Sequence, residues 1–238
     1  FKMIQALAKE FPQIKEMDLK WALDLVGITT ICDVVPLINE NRILAKFGLI
    51  VLQKTKRLGL KKLYEAASID PEKIDTYTVG FQVGPRLNAP GRMDHTNKSF
   101  FLLRSTDPHQ AQELAEELQQ INLKRQEKLE QMLKTAEREI SEEKLDDKKV
   151  IMLAHQNWPS GLIGLVAGKL TEKYNRPTII FEKGEKISKG SARSIDDFNL
   201  VEILEKVSEL IENFGGHTKA AGLTVKNENL TSLYEKLL

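Results

Sequence analysis

Residues 150–182, VIMLAHQNWPSGLIGLVAGKLTEKYNRPTIIFE, hold the pattern that decides the fold. VIMLA (150–154) and TIIFE (178–182) are apolar, β-branched runs of strand length. Between them GLIGLVAGKLTEKY (161–174) is of helical length and built from small and apolar residues. Ser160 is placed to cap this helix, and Asn175 and Pro177 to close it. Strand, helix and strand in so short a stretch predict a βαβ unit with parallel strands and a right-handed crossover.

The pattern extends downstream. Lys183-Gly184 predicts a hairpin into ISKGSARS (187–194), where strand alternation puts Lys189, Ser191 and Arg193 on one face. Asn199 and Glu202 form a capping-box-like pair. They predict a helix with Leu200, Ile203, Leu204, Val207, Leu210, Ile211 and Phe214 on one side. Gly215 stands where a left-handed residue would stop that helix, and AGLTV (221–225) reads as the last strand. The expected class is α/β with a mixed sheet.

Upstream, Asp107 as N-cap, Pro108 at the first helical position and Gln110 predict the start of a long helix. Leu114, Leu118, Ile121, Leu129, Met132, Ala136 and Ile140 line one face of it, and its length suits a connector between two lobes. TVGFQVGPRLNAPGRM (78–93) is dense in glycine and proline and predicts irregular backbone. Residues 41–68 read as short helices punctuated by Gly48 and Gly59, and residues 1–10 as a helix ended by Pro12. DLVGITTICDVVPL (24–37) reads as a buried element ending beside an acid, Asp33.

Composition narrows the function. Thirty-five Lys+Arg against 34 Asp+Glu leave a formal net charge of +1, so any nucleic-acid contact must come from a local cluster. A single cysteine, Cys32, excludes an internal disulfide framework and fits a reducing compartment. With no apolar run of about 18 residues and no signal-like N-terminus, the expected place is the cytoplasm, away from membranes. The opening FKMIQALAKEF reads as mid-helix without an initiating methionine, as expected of a fragment.

Four places combine small residues with polar hooks. Ser160-Gly161 lies at a helix N-terminus, where free N–H groups suit a phosphate. Ser191 and Arg193 form a hydroxyl and guanidinium pair matched to an oxyanion. Gly216 exceeds what a helix stop needs, and a second glycine permits close approach of a chain or ligand; His217 beside it can donate to phosphate or act as acid or base. Arg86, Asn88 and Arg92 sit close together in the glycine-proline segment and suit anion capture. Each has a structural alternative: cap, sheet edge, satisfied histidine or solvated loop. Asp33 could cap a turn, pair with a cation or hold a metal, but one acid is not a divalent-metal site. His95, His109 and His155 stand singly.

Taken in order, TICDVVPLINENRILAKFGL, GFQVGPRLNAPGRM, NWPSGLIGLVAGKLTEKYNRP, KGSARS and FGGHTKAAGLT resemble the RecJ family. These are 5′→3′ exonucleases specific for single-stranded DNA, within the DHH/DHHA1 phosphoesterase superfamily. The resemblance implies the C-terminal part of a DHH catalytic domain over 1–106, a connector helix over 107–147, and a DHHA1 substrate-binding domain over 148–238. It implies that Asp33 is a catalytic ligand of Mn2+ or Mg2+. It also implies that Arg86, Asn88, Arg92, Ser160, Ser191 and Arg193 bind DNA, and that Gly215, Gly216 and His217 line the cleft opposite the metals. Single-stranded DNA is the implied substrate, DNA repair and recombination the implied setting, and a single-strand-binding protein or a helicase the implied protein partner. The family's earlier metal motifs, including the Asp-His-His triplet, have no counterpart here, and Pro159 stands where many relatives have histidine. The expected consequence is that this chain alone is inactive. The alternatives are an oligoribonuclease or cyclic-dinucleotide phosphodiesterase of the same superfamily, or a non-catalytic nucleic-acid-binding relative.

Overall fold

The computed structural model describes residues 1–93, 97–196 and 198–238. The chain forms two compact units, Phe1–Lys124 and Arg125–Leu238.

The first unit is helical. Its helices are α1 (Lys2–Leu7), α2 (Glu16–Trp21), α3 (Leu23–Cys32), α4 (Asn39–Gln53), α5 (Leu58–Ala67), α6 (Thr76–Thr78), α7 (Gly84–Met93) and α8 (Asn97–Arg104), followed by the start of α9 (Pro108–Glu142). The Asp107 carboxylate accepts from the Gln110 backbone N–H at 2.7 Å, so α9 begins as its capping signal predicts. Its 35 residues span about 52 Å at 1.5 Å per residue. The apolar core joins Ile28, Leu52, Leu63, Val79, Val83 and Leu102 to Ala111, Ala115 and Leu118 of α9.

Three readings of this region need correction. Gly48 lies inside α4 and does not punctuate it. There α3 and α4 meet backbone to backbone, and a Cβ on Gly48 would fall 2.5 Å from the Gly27 Cα. Gly59 likewise lies inside α5, where a Cβ would fall 1.9 Å from the Leu102 carbonyl oxygen. Residues 78–93 are not irregular: a π-helical turn, Val79–Val83, runs directly into α7. Gly84 is helical before Pro85 because it has no Cβ to meet the proline ring, and the same missing atom admits the Cys32 Sγ. Tertiary packing here overrides the breaker composition.

A further difference concerns which acid is buried. Asp33 is exposed at the C-cap of α3, whereas Asp24 is only 2 % exposed. The Asp24 carboxylate accepts from Arg57 Nε at 2.9 Å, Arg57 Nη2 at 3.2 Å, Thr55 Oγ1 at 3.1 Å and the Leu25 N–H at 2.7 Å. A carboxylate with four donors can stay charged in the interior.

The second unit contains the rest of α9, β1 (Ile151–His155), α10 (Ser160–Tyr174), β2 (Thr178–Lys183), β3 (Ile187–Arg193), α11 (Leu200–Lys206), β4 (Asn213–His217), β5 (Ala220–Lys226) and α12 (Leu230–Leu237). The strands form one mixed sheet in the order β1-β2-β3-β5-β4, with β1 parallel to β2 and the other pairs antiparallel. Ile179, Phe181, Ala192, Leu223 and Val225 pack with α11 and α12 on one face. α10 lies on the other face, over β2 and β3. The predicted βαβ unit and hairpin are both present.

Two local readings fail here. Ser160 does not cap α10; Pro159 holds the N-cap position, and Ser160 is the first helical residue. The helix expected to run to Phe214 ends at Lys206, and Gly215 stops nothing, because FGGH is strand β4. Two successive glycines cost roughly 1 kcal/mol each in a helix, whereas pairing with β5 satisfies their backbone groups. Gly216 (φ 159°) is needed for close approach: a Cβ there would fall 2.3 Å from the Ala220 carbonyl oxygen.

Candidate functional site

In the second unit, strand register assembles the site. Ser191 of β3 is opposite Gly222 of β5, which is opposite Gly215 of β4; one row along, Arg193, Ala220 and His217 are opposite one another. All six point to the face that carries α10, but α10 covers β2 and β3 and leaves β4 and β5 open. A Cβ on either Gly215 or Gly222 would meet nothing within 4 Å, so the pair forms a flat backbone floor.

Arg193 is set by its surroundings. Its Nη1 donates to Ser191 Oγ at 3.1 Å and to the Ala192 carbonyl at 2.8 Å. The Thr171 hydroxyl of α10 donates to the Arg193 carbonyl at 3.4 Å. Gly164 of α10 makes room for the pair, since a Cβ there would lie 3.0 Å from both Arg193 Nη2 and Ser191 Oγ. Ser160, Gly164 and Gly168 recur every fourth residue and share a helix face, so exposed Ser160 precedes Gly164 by one turn. Beyond Arg193 a groove of about 1060 Å³ is lined by Gly164, Gly168, Lys169, Arg193 and Lys219. Lys219 is paired with Asp196. His217 is exposed at the end of β4. Half-buried guanidinium, hydroxyl, imidazole and a glycine floor can together hold a phosphodiester without reading a base.

The first unit holds the other predicted cluster. Arg86, Asn88 and Arg92 all lie on α7. Arg86 donates from Nε to Gln119 Oε1 at 2.6 Å and from Nη1 to the Gln82 carbonyl at 2.8 Å, which fixes its direction. Burial pushes the pKa of both guanidinium groups down, because desolvation disfavours the charged form. Asn88 is exposed. Asp33 follows Cys32, whose Sγ donates to the Val79 carbonyl at 3.6 Å and lies against Gly84. The end of α3 and the start of α7 are therefore neighbours. Asp33 has no ion pair or side-chain hydrogen bond among the described residues, and no group of three or more His, Cys, Asp or Glu there could hold a metal. The described residues do not by themselves fit a divalent ion.

His155 and His109 are engaged with carboxylates of α9. His155 Nε2 is 2.9 Å from Glu139 Oε2, and its ring stacks on Trp158 with centroids 4.0 Å apart. His109 faces Glu113 on the outer side of α9, and His95 lies outside the described residues. Sequence reasoning passed over Gly164 and Gly222. The every-fourth-residue spacing of Ser160, Gly164 and Gly168 was the available signal for the first, and pairing alone reveals the second.

The second unit matches a known family: residues 147–238 match the family model described as the DHHA1 domain. Along the whole chain the similarity is to RecJ. The single-stranded-DNA-specific exonuclease RecJ of Bacillus subtilis is 42 % identical over 241 residues, covering 100 % of this chain and 29 % of that protein. RecJ of Haemophilus influenzae is 38 % identical, covering 87 % of this chain and 38 % of its own length. The crystal structure of Thermus thermophilus RecJ in complex with Mn2+ superposes with a TM-score of 0.80 at 30 % identity, over 92 % of this chain and 32 % of that one. A Mg2+ complex of the same protein matches equally well, with a TM-score of 0.80. The chain is RecJ-like in sequence and in fold, and spans well under half the length of these relatives. No helix among the described residues is long and apolar enough to cross a membrane.

Proposed function

We propose that this chain is the phosphate-gripping portion of a metal-dependent exonuclease that hydrolyses single-stranded DNA in the 5′→3′ direction, in the cytoplasm, during repair and recombination. One observation carries the reading: the open, glycine-floored sheet face bearing Ser191, Arg193 and His217, in a chain similar to RecJ end to end. Ser191 and Arg193 hold a phosphate of the strand, and Gly215, with Gly222 beside it, lets the sugar-phosphate backbone come close. Gly216 contributes by letting β4 lie tight against β5 there. His217 donates to a phosphate oxygen. The exposed Ser160 hydroxyl, at the first residue of α10 and one turn before Gly164, supplies a further phosphate contact. Arg86, Asn88 and Arg92 of the first unit hold phosphate near the 5′ end.

Asp33 is proposed as one ligand of a Mn2+ or Mg2+ site. Such a site needs several oxygen or imidazole ligands, so this chain by itself performs no metal-assisted step. A single-strand-binding protein or a helicase, which present or generate single strands, are the proposed protein partners.

The test is binding and turnover with the 238-residue chain. It is expected to bind single-stranded DNA with an affinity that falls as salt rises, to prefer long strands over dinucleotides, and to release no mononucleotides with Mn2+. Failure to bind, or robust metal-dependent release of nucleotides, overturns the assignment.

A further inference from the structure

The open sheet face does not end at Ser191 and Arg193. Two residues back along β3 lies Lys189, opposite Thr224 of β5, which is opposite Asn213 of β4. Alternation puts all three on the same face as Ser191, Gly222 and Gly215. We propose that this row is a second phosphate subsite, taking the next phosphate of a single strand already held by Ser191 and Arg193. The inference rests on the proposed function and extends it by residues with no role so far.

Three observations support the row. A shallow pocket of about 390 Å³ is lined by Lys189, Asn213, Gly215, Gly222 and Thr224, so the row and the glycine floor share one continuous surface. Lys189 is exposed and makes no ion pair among the described residues, whereas Lys226, in the adjoining row, is paired with Glu212. Glu182 is the register partner of Lys189 on β2, yet no ion pair joins them. Finally, Lys189, Thr224 and Asn213 offer an ammonium, a hydroxyl and an amide, and Thr224 and Asn213 lie on the side of Lys189 away from the Glu182 carboxylate. Those donors suit phosphate oxygens.

Spacing supports the same occupant. Adjacent rows on one face are two residues apart, about 6.8 Å at the strand rise. That distance is comparable with the step between successive phosphates in an extended single strand. Strands about 4.8 Å apart let donors from β3, β5 and β4 converge on one group. Gly215 and Gly222 share the Ser191 row, and their bare backbone leaves room for the strand to lie close to the sheet as it passes from one grip to the next.

The experiment measures affinity by fluorescence anisotropy over a range of salt. The probe is a 5′-phosphorylated oligothymidylate long enough to span the three rows. The whole chain is compared with Lys189→Gln, Arg193→Ala and Lys186→Gln, a control at the exposed hairpin tip outside the row. Lys189→Gln is expected to weaken binding roughly fivefold and to flatten the log–log salt slope by about 0.7, one phosphate contact on a single strand. Lys186→Gln should leave both unchanged. If Arg193→Ala weakens binding but Lys189→Gln behaves like the control, the second subsite is wrong and the proposed function stands. If the unmodified chain binds no single strand, both fall.

Discussion

Gly164→Ala separates the stability of the second unit from its grip on phosphate. In a helix interior, alanine is favoured over glycine by up to about 1 kcal/mol, because the unfolded chain loses less freedom. At this position the new methyl would sit 3.0 Å from Arg193 Nη2 and from Ser191 Oγ, several tenths of an ångström inside ordinary contact. The nearest atoms are ends of side chains, so the guanidinium gives way and the helix does not. Moving it strains the bonds from Nη1 to Ser191 Oγ and to the Ala192 carbonyl. A hydrogen bond from a charged group contributes about 1.5–3 kcal/mol. Half-exposure reduces this, leaving about 1 kcal/mol, or roughly a fivefold loss of affinity for single-stranded DNA. The assay pairs urea unfolding with anisotropy on the same variant. Unchanged or raised stability with weakened binding is expected. Undiminished affinity would refute the idea that Gly164 makes room for the Arg193–Ser191 pair, and a large fall in stability would show the clash to be with the helix itself.

Two further expectations concern the fold, and each unit has its own tryptophan, Trp21 or Trp158, to report on it. Asp24→Ala strands the Arg57 guanidinium and the Thr55 hydroxyl, and should cost about 3 kcal/mol in the first unit; denaturation is followed by Trp21 fluorescence in a Trp158→Phe background, and a loss below roughly 1 kcal/mol contradicts the buried-pair account. Gly216→Ala drives a methyl into the Ala220 carbonyl and should destabilise the β4–β5 hairpin by about 2 kcal/mol. Trp158 fluorescence in a Trp21→Phe background reads that change, and a neutral result would mean that β4 and β5 do not approach so closely.

The local features were legible in the chain itself. The βαβ unit, the β2–β3 hairpin, the Asp107 cap of α9, and the shared face of Lys189, Ser191 and Arg193 all depend on residues within a few positions of one another. Periodicity and capping chemistry act at that range, so one sequence suffices. The misread parts depend on partners far along the chain. FGGH becomes a strand because β5 is there to pair with it, and residues 78–93 become helical because α3 brings Cys32 against Gly84. Asp24 rather than Asp33 is the buried acid because Arg57, 33 residues away, meets it. The site follows the same division. The resemblance named its residues, but the glycine floor and the Gly164 cradle exist only once β4, β5 and α10 pack around β3. Backbone pairing and backbone-to-backbone contact are long-range events, and tertiary structure alone decided them.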